Sequence, residues 1–314
     1  MRSLPGDAVE VMLGSAQKEL PAEDLQLLRK EFGLNQSPIR QYIHWLGGWF
    51  HDEKSKSSVG ANALGRSYRD GRPVKEVILE RVPCTLALVG LSLFIAFTVG
   101  LALGAVLAFL GLSCRRSNSK LAEQSENLLT AALLAIYSAP NFWLACLMLA
   151  AIEAGVVNLS VLGWHAPGLA VTPVGLITHL AAPALILSTR RTAKVALFIR
   201  SLALEEFGRE YVVTALAKGL SLQAVIRRHI LKNCLIPVVS LLGLSLPALI
   251  GGSVLIETIF CVPGLGRLSV EATFGRNYPV LLGLITLYGC TVIACNLLAD
   301  ILTSLVDPKT AEAK

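Results

Sequence analysis

A chain of 314 residues with 54% apolar and only 16% charged residues, a formal net charge of +6 and a mean hydropathy of +0.61 lies outside the balance of a water-soluble domain and reads as a polytopic membrane protein. The positive balance does not point to nucleic acid, because the basic residues are spread between apolar runs with no aromatic platform or binding motif beside them. Seven cysteines occur without a CxxC pair, and Cys84, Cys146, Cys234, Cys290 and Cys295 lie in or next to apolar runs, which suits small core residues better than metal ligands or disulfides.

Residues 1–82 carry 12 Lys/Arg against 11 Asp/Glu, with an amphipathic helix predicted over 22–32 and turns around Gly60, Gly65 and Gly71. This is a soluble segment. Beyond it, five segments reach the roughly 20 apolar residues that a membrane-crossing helix needs: 84–112, 128–152, 172–194, 235–256 and 279–305. The first contains Gly100 and Gly104, a small-xxx-small pair that lets another helix approach closely. In the second, "YSAPNFW" sets Pro140 in mid-membrane, where it frees a carbonyl that neighbours or a water-lined cavity must satisfy. Asn141, Phe142 and Trp143 beside it are therefore candidates for a translocation path. Glu257 ends the apolar run "ALIGGSVLI" and is either an interfacial cap or part of a gate. In "CVPGLGRL", Pro263, Gly264 and Gly266 predict a tight re-entrant turn.

Orientation follows from the Lys and Arg in the shorter connections, since these residues resist translocation. The 113–127 link carries Arg115, Arg116 and Lys120, and the 190–233 link carries nine basic residues against Glu205, Glu206 and Glu210. Both are read as cytoplasmic, which alternation allows because two crossings separate them. The same alternation puts 153–171, 257–278 and residues 1–82 outside. Placing 1–82 outside calls for an export signal or first span ahead of it.

The stretch "YVVTALAKGLSLQAVIRRHILKNCLIP", 211–237, lies between two apolar runs yet is strongly basic. Val212, Val213, Leu216 and Leu220 recur at helical spacing, Gly219 interrupts, and Leu222, Val225, Ile226, His229 and Ile230 resume the pattern. Two short helices joined at Gly-Leu-Ser make a knob with an apolar stripe and a basic face of Arg227, Arg228 and Lys232. A solvated connector is the plain alternative; a preformed knob suits docking in a partner's groove.

"TALAKGLS" followed by "RRHILKNCLIP" resembles the EAA-type coupling loop of binding-protein-dependent ABC importers, in the form used by the peptide and nickel permease branch. "LPGDAVEVMLG", "LRKEFGLNQSPIRQYIHWLGG", "GRSYRDGRPVKEVILERVPCTL", "SAPNFWLA", "GGSVLIETIFCVPGLGRL", "NYPV" and "NLLADILTSLVDP" agree in order and spacing, so the resemblance covers almost the whole chain. It implies an all-α type I ABC importer permease, about five membrane helices here against six in the family, in the B-type position of oligopeptide, dipeptide or nickel systems. The layout implied is an extracytoplasmic segment 1–82, a permease domain 83–307 with its coupling loop at 195–233, and a cytoplasmic tail 308–314. Ala215, Leu216, Lys218, Gly219 and Leu220 would contact an ATPase subunit; Asn141, Phe142, Trp143, Glu257, Pro263 and Gly264 would belong to the pathway and gate. Implied partners are a second permease, two ATP-binding cassette subunits that hold ATP and Mg, and an extracytoplasmic binding protein delivering peptide, nickel or a metal chelate, in the inner membrane of a bacterium. The chain departs from the family in three places. Val213 stands where the strict signature has Glu, Arg190, Arg191 and Lys194 interrupt a normally apolar span, and only Met1, Arg2 and Ser3 precede Leu4 where relatives carry a first helix. The functional chain is accordingly expected to begin upstream of Met1 or to be a truncated form, which intact-mass measurement decides.

No GxxxxGK[ST], HExxH, GxSxG or spaced Cys/His cluster occurs, so no phosphate loop or hydrolase motif is present and cofactors are expected only on partner chains. His44, His51, His165 and His179 read as polar or packing residues rather than a metal path. A secondary transporter would show paired repeats and intramembrane carboxylates, and a membrane scaffold would leave Pro140 unexplained. On a helix advancing about 100° per residue, Arg190, Arg191 and Lys194 share an arc about 100° wide. A span beginning near Val171 brings them to the cytoplasmic headgroups, where long side chains snorkel. A helix starting later and continuing to Arg200 keeps them within the bilayer and facing a cavity, because a lipid-facing charge costs at least about 2.5 kcal/mol. The boundary placement is preferred, since it needs no compensating acids.

Overall fold

The computed structural model describes residues 21–31, 64–117, 120–157, 173–234 and 253–306, with isolated positions at 9, 35–37, 39–40, 43, 237–238 and 241. Among these residues the chain is α-helical, and its β-type pairing is one isolated bridge between Arg66 and Pro73. In chain order the helices are α1 (Ala22–Glu31), α2 (Val74–Leu79), α3 (Val82–Ser117), α4 (Lys120–Ser138), α5 (Asn141–Glu153) and α6 (Pro173–Glu206). They continue as α7 (Glu210–Ala217), α8 (Leu222–Val225, running on through a π turn at Ile226–Ile230), α9 (253–259), α10 (Leu265–Phe274) and α11 (Tyr278–Val306). Helix α1 lies where its amphipathic pattern predicts, with Glu23 and Asp24 in the first turn and Arg29 and Lys30 in the last, each sign favourable to the helix dipole.

The five predicted spans fare differently. The first and last are single helices of 36 and 29 residues, long and apolar enough to cross a membrane. The second is broken into α4 and α5, bent by 100°. Pro140 is the cause: it has no N–H to donate and disfavours α-helical backbone at Ala139, and it opens α5 as its N-cap with φ −66° and ψ 131°. The third extends to 34 residues as α6, carrying straight on through Arg190, Arg191 and Lys194. The fourth lies mostly outside the described residues. So do Gly60, His44, His51 and His165.

The chain divides into two compact units, Met1–Thr85 with Pro263–Cys290, and Leu86–Val262 with Thr291–Lys314. In the first, Val74, Val77 and Ile78 of α2 share a core with Leu265, Leu268 and Ala272 of α10 and Val280 and Leu284 of α11. The core draws together three stretches far apart in sequence. Asn277 binds them: its Oδ1 accepts from Tyr68 N at 3.1 Å and its Nδ2 donates to Ser67 Oγ at 2.9 Å, while Tyr68 and Tyr278 pack edge to face at 6.4 Å. The turn before α2 uses Gly65 and Gly71 in the left-handed region, at φ 75° and 69°. Thr85 Oγ1 accepts from Leu265 N at 2.8 Å, a cap for α10 that Gly264 has no side chain to give.

In the second unit, α3 and α6 run in parallel with a constant register. A side chain on Gly100 would place its Cβ 2.9 Å from Val195 Cβ, one on Gly104 would lie 2.7 Å from Ile199 Cβ, and Ala108 shares a core with Ala203. The small residues let the two helices touch, as their spacing predicts. Gly104→Val overfills this contact at a cost of about 1–3 kcal/mol. It should lower the melting temperature in detergent, and Ile199→Ala should recover part of the loss; no change in either variant would mean the helices do not meet here. Helix α4 packs on α6 through Leu133, Ala193 and Ala196, and Glu126 of α4 reaches Arg200 of α6.

Candidate functional site

Helix α6 ends at Glu206, the chain turns at Phe207–Arg209, and α7 and α8 follow. Val212, Ala215, Val225, Ile226, Ile230 and Cys234 form one apolar cluster with Ala108, Leu112 and Ala203, so the two short helices are clamped onto α3 and α6. The knob predicted from the sequence is present. Ser221 caps α8 by accepting from Ala224 N at 3.3 Å. Gly219, at φ 85°, makes the turn that ends α7, with Gly219 N bonded to Leu216 O at 3.0 Å and Leu220 N to Ala215 O at 3.3 Å.

Burial sorts the five residues assigned to docking. Ala215 is buried in the knob's own core, and Leu216 and Leu220 are half-buried against it. Lys218 and Gly219 are exposed, together with Val213, Thr214 and Ala217, and Arg227, Arg228 and Lys232 form an exposed basic edge. The outward surface therefore consists of Val213, Thr214, Ala217, Lys218 and Gly219, with Ala215, Leu216 and Leu220 supporting it from beneath. Val213, where the family's strict signature has Glu, is 60% exposed.

A polar network that the sequence pattern does not reveal braces the base of the knob. Tyr211 Oη donates to Glu206 Oε2 at 2.5 Å, Asn233 Nδ2 donates to the same oxygen at 3.3 Å and to Tyr211 Oη at 3.1 Å, and Arg209 Nε lies 3.4 Å from Glu206 Oε1. The hydrogen bond from Tyr211 is the main reason the Glu206 carboxyl is held below the usual carboxylate range. Burial, with that hydrogen bond, pushes the Tyr211 hydroxyl up to about 12. Because the folded-state value of Glu206 is depressed, its contribution to stability is complete above the unfolded carboxylate value of about 4.3 and is lost as pH falls through the folded value. Acidification below about pH 4.3 should thus lower the melting temperature more in the unmodified protein than in Tyr211→Phe, which itself costs about 1 kcal/mol near neutral pH. Parallel acid melting curves for the two proteins would contradict this assignment.

The pathway candidates fall in both compact units. Asn141 opens α5 with its Oδ1 buried and lacking a hydrogen-bond partner among the described residues, and Phe142 and Trp143 are half exposed. Glu257 on α9 is completely buried beside Ile256 and Phe260, so it is not a solvent-facing cap. These four belong to one compact unit, whereas Pro263 and Gly264 belong to the other. The tight turn expected at the glycines is made instead by Cys261, at φ 54°; Gly264 is extended at φ −102° and ψ −175°.

Helix α6 carries Arg190, Arg191 and Lys194 in its interior and continues beyond them to Glu206. The contacts of Gly100 with Thr192 and Val195 bring this part of α6 level with residues 95–100 of α3. The charge-free run of α3 extends from Val82 to Cys114, and any span of about 20 residues drawn within it includes residues 95–101. The same run carries the knob at its far end, on Ala108 and Leu112, so the level of the cations in the membrane is set by where the headgroups fall on α3. Arg190 and Lys194 are exposed in a stripe with Ser201, and the opposite side of α6 is buried through Ala193, Val195, Ala196 and Ile199. The Arg190 guanidinium sits 5.0 Å from the centroid of the Tyr137 ring, and Arg191 Nη1 donates to Leu187 O at 3.2 Å.

Comparison with solved structures gives the class. Over 75% of this chain and 98% of the other, the fold matches a chain of the inward-facing MetNI methionine ABC transporter with a TM-score of 0.58 at 19% identity. It also matches an amino acid ABC transporter with a TM-score of 0.52 at 15% identity, over 73% of this chain and 94% of that one. This is the type I ABC importer permease fold. The chain belongs to the binding-protein-dependent transport system inner membrane component family, whose model matches residues 100–312, with the family's N-terminal model matching residues 2–89. It is similar to the oligopeptide transport system permease protein AppB of Bacillus subtilis, 33% identical over 98% of this chain and 91% of that protein. A putative peptide transport system permease protein of Brucella suis biovar 1 is 36% identical over 98% and 90% respectively. The chain is an integral membrane transport subunit and not itself an enzyme.

Proposed function

We propose that this chain is one of two homologous membrane subunits of a bacterial inner-membrane peptide importer, forming half of its translocation pathway. A binding protein delivers the cargo from outside, and two ATP-binding cassette subunits, which hold the ATP and Mg, dock on the knob of α7 and α8. The observation that carries the reading is the knob itself: an outward surface of Val213, Thr214, Ala217, Lys218 and Gly219, rigidly backed by a core that includes α3 and α6. A push on that surface is transmitted to two long helices, because packed interiors pass strain on with little compliance. Peptide is favoured over nickel or a metal chelate because the similar permeases of Bacillus subtilis and Brucella suis biovar 1 are named for oligopeptide and peptide transport. Purification from native membranes in mild detergent should recover an ATPase pair and a second permease with this chain, with ATP hydrolysis stimulated by binding protein loaded with peptide. Recovery of neither partner, with transport driven by an ion gradient, would replace this reading with a secondary carrier.

A further inference from the structure

The knob's apolar cluster takes in Ala108 and Leu112 of α3 and Ala203 of α6 and, among the described residues, no residue of α4. Movement of the knob therefore reaches α4 through the two helices that carry it. The place where it can do so lies directly beside the cluster. Gly111 precedes Leu112, Arg200 lies one turn before Ala203, and the buried Glu126 of α4 fits against both, its Oε1 accepting from Arg200 Nε at 2.8 Å. From this end α4 runs antiparallel to α6: Leu133 shares a cluster with Ala193 and Ala196, and at the far end the Tyr137 ring lies 5.0 Å from the Arg190 guanidinium. Apolar contact on alanines is non-directional and leaves a helix free to slip along its axis. An ion pair does not. A buried pair adds little net stability over an apolar contact of the same volume, and its best attested use is to fix a register. Beyond Tyr137 the chain bends at Pro140 and passes to Asn141, Phe142 and Trp143 of α5.

We propose that Glu126 and Arg200 are positioning residues that lock α4 to α6 at the base of the knob, so that a movement driven there reaches the bend at Pro140 and the candidate pathway residues after it. The proposal rests on the importer reading for what drives the knob, and it adds a third helix to the two on which the knob sits. Gly111 completes the joint, because a side chain at that position would displace the carboxylate. With the pair made, the knob, α6 and α4 shift as one block. With the pair neutralised, the apolar seam persists and the knob still docks, but α4 lags behind α6.

The test uses the complete complex in proteoliposomes. Glu126→Gln/Arg200→Gln removes both charges, keeps amide groups able to bond to each other, and strands no ion. Well below its melting temperature, this variant should keep ATP hydrolysis stimulated by peptide-loaded binding protein within about twofold, while uptake per ATP hydrolysed falls on the order of tenfold. Arg200→Lys, which keeps the charge, should hold that ratio near the value of the unmodified complex. A ratio unmoved in the Gln variant, or hydrolysis and uptake falling in parallel, would assign the pair to folding alone and overturn the proposal. A second readout does not depend on what drives transport. Spin labels are placed on Leu128→Cys of α4 and Ser201→Cys of α6, both exposed positions, with the exposed native cysteines replaced by serine. The distance distribution should be narrow with the pair intact, and the Gln variant should broaden or shift it by on the order of one helical turn, about 5 Å. An unchanged distribution also overturns the proposal. If the unmodified complex shows no ATP-driven uptake, the importer reading fails instead, while the label distances still decide whether the pair sets the register of α4.

Discussion

Gly219→Val should abolish transport and substrate-stimulated ATP hydrolysis while the protein still inserts in the membrane. The reason is conformational rather than steric, because a Cβ built on Gly219 meets no atom within 4 Å. Its φ of 85° lies in the region that costs an L-residue about 1–2 kcal/mol, and a β-branched side chain is a true outlier there. Valine would pull the backbone out of that region and break the two hydrogen bonds that close the end of α7, from Gly219 N to Leu216 O and from Leu220 N to Ala215 O. Lys218 and its neighbours on the outward surface would then be re-aimed, while the core of the knob, built from Val212, Val225 and Ile230, would persist. Gly219→Asn is the informative control, since Asn tolerates the left-handed region. It should retain most activity. Normal uptake by the valine variant would remove the coupling assignment; equal failure of both variants would show that the surface needs a bare backbone rather than this turn.

Arg200→Ala should destabilise the permease by about 3 kcal/mol, at the low end of the range for breaking a buried ion pair because Arg200 keeps 28% of its side chain exposed. Arg200 Nε donates to Glu126 Oε1 at 2.8 Å and Nη2 lies 2.6 Å from the same oxygen. Glu126 is buried, and it fits only because Gly111 has no side chain: a Cβ there would lie 2.8 Å from Glu126 Oε1. Removing Arg200 leaves a carboxylate in a site with no other cation described beside it. Glu126→Gln, which keeps the shape and drops the charge, should cost less than Arg200→Ala. The double variant Arg200→Ala/Glu126→Gln should recover part of the loss, since the stranded charge is gone. Melting curves in detergent measure all three, and strict additivity would show that the pair is not coupled.

The features legible in the sequence are those that neighbours along the chain decide. The knob at 211–232 is the clearest case, since helical spacing, a glycine at the break and a serine before the second helix are enough to specify two short helices and their turn. The packing role of Gly100 and Gly104 is of the same kind, as is the helix interrupted at Pro140, although a periodic apolar pattern on both sides of the proline hides how sharply the chain bends. Apolar composition likewise marks the long helices, because lipid leaves backbone polar groups no partner but their own helix.

What only the tertiary structure decided is which elements meet and at what level. The Glu126–Arg200 pair spans 74 positions and the Asn277–Ser67 bond 210, and no local pattern encodes either. The burial of Ala215 beneath the knob's surface, and of Glu257 within its unit, depends on neighbours brought by other helices. The same holds for the level of Arg190, Arg191 and Lys194 against α3. Taken alone, α6 leaves its register against α3 open, because a helix can slide past a neighbour without changing its own periodicity. Contact of Val195 with Gly100 and of Ile199 with Gly104 fixes that register, since small residues admit close approach at one register and not at others.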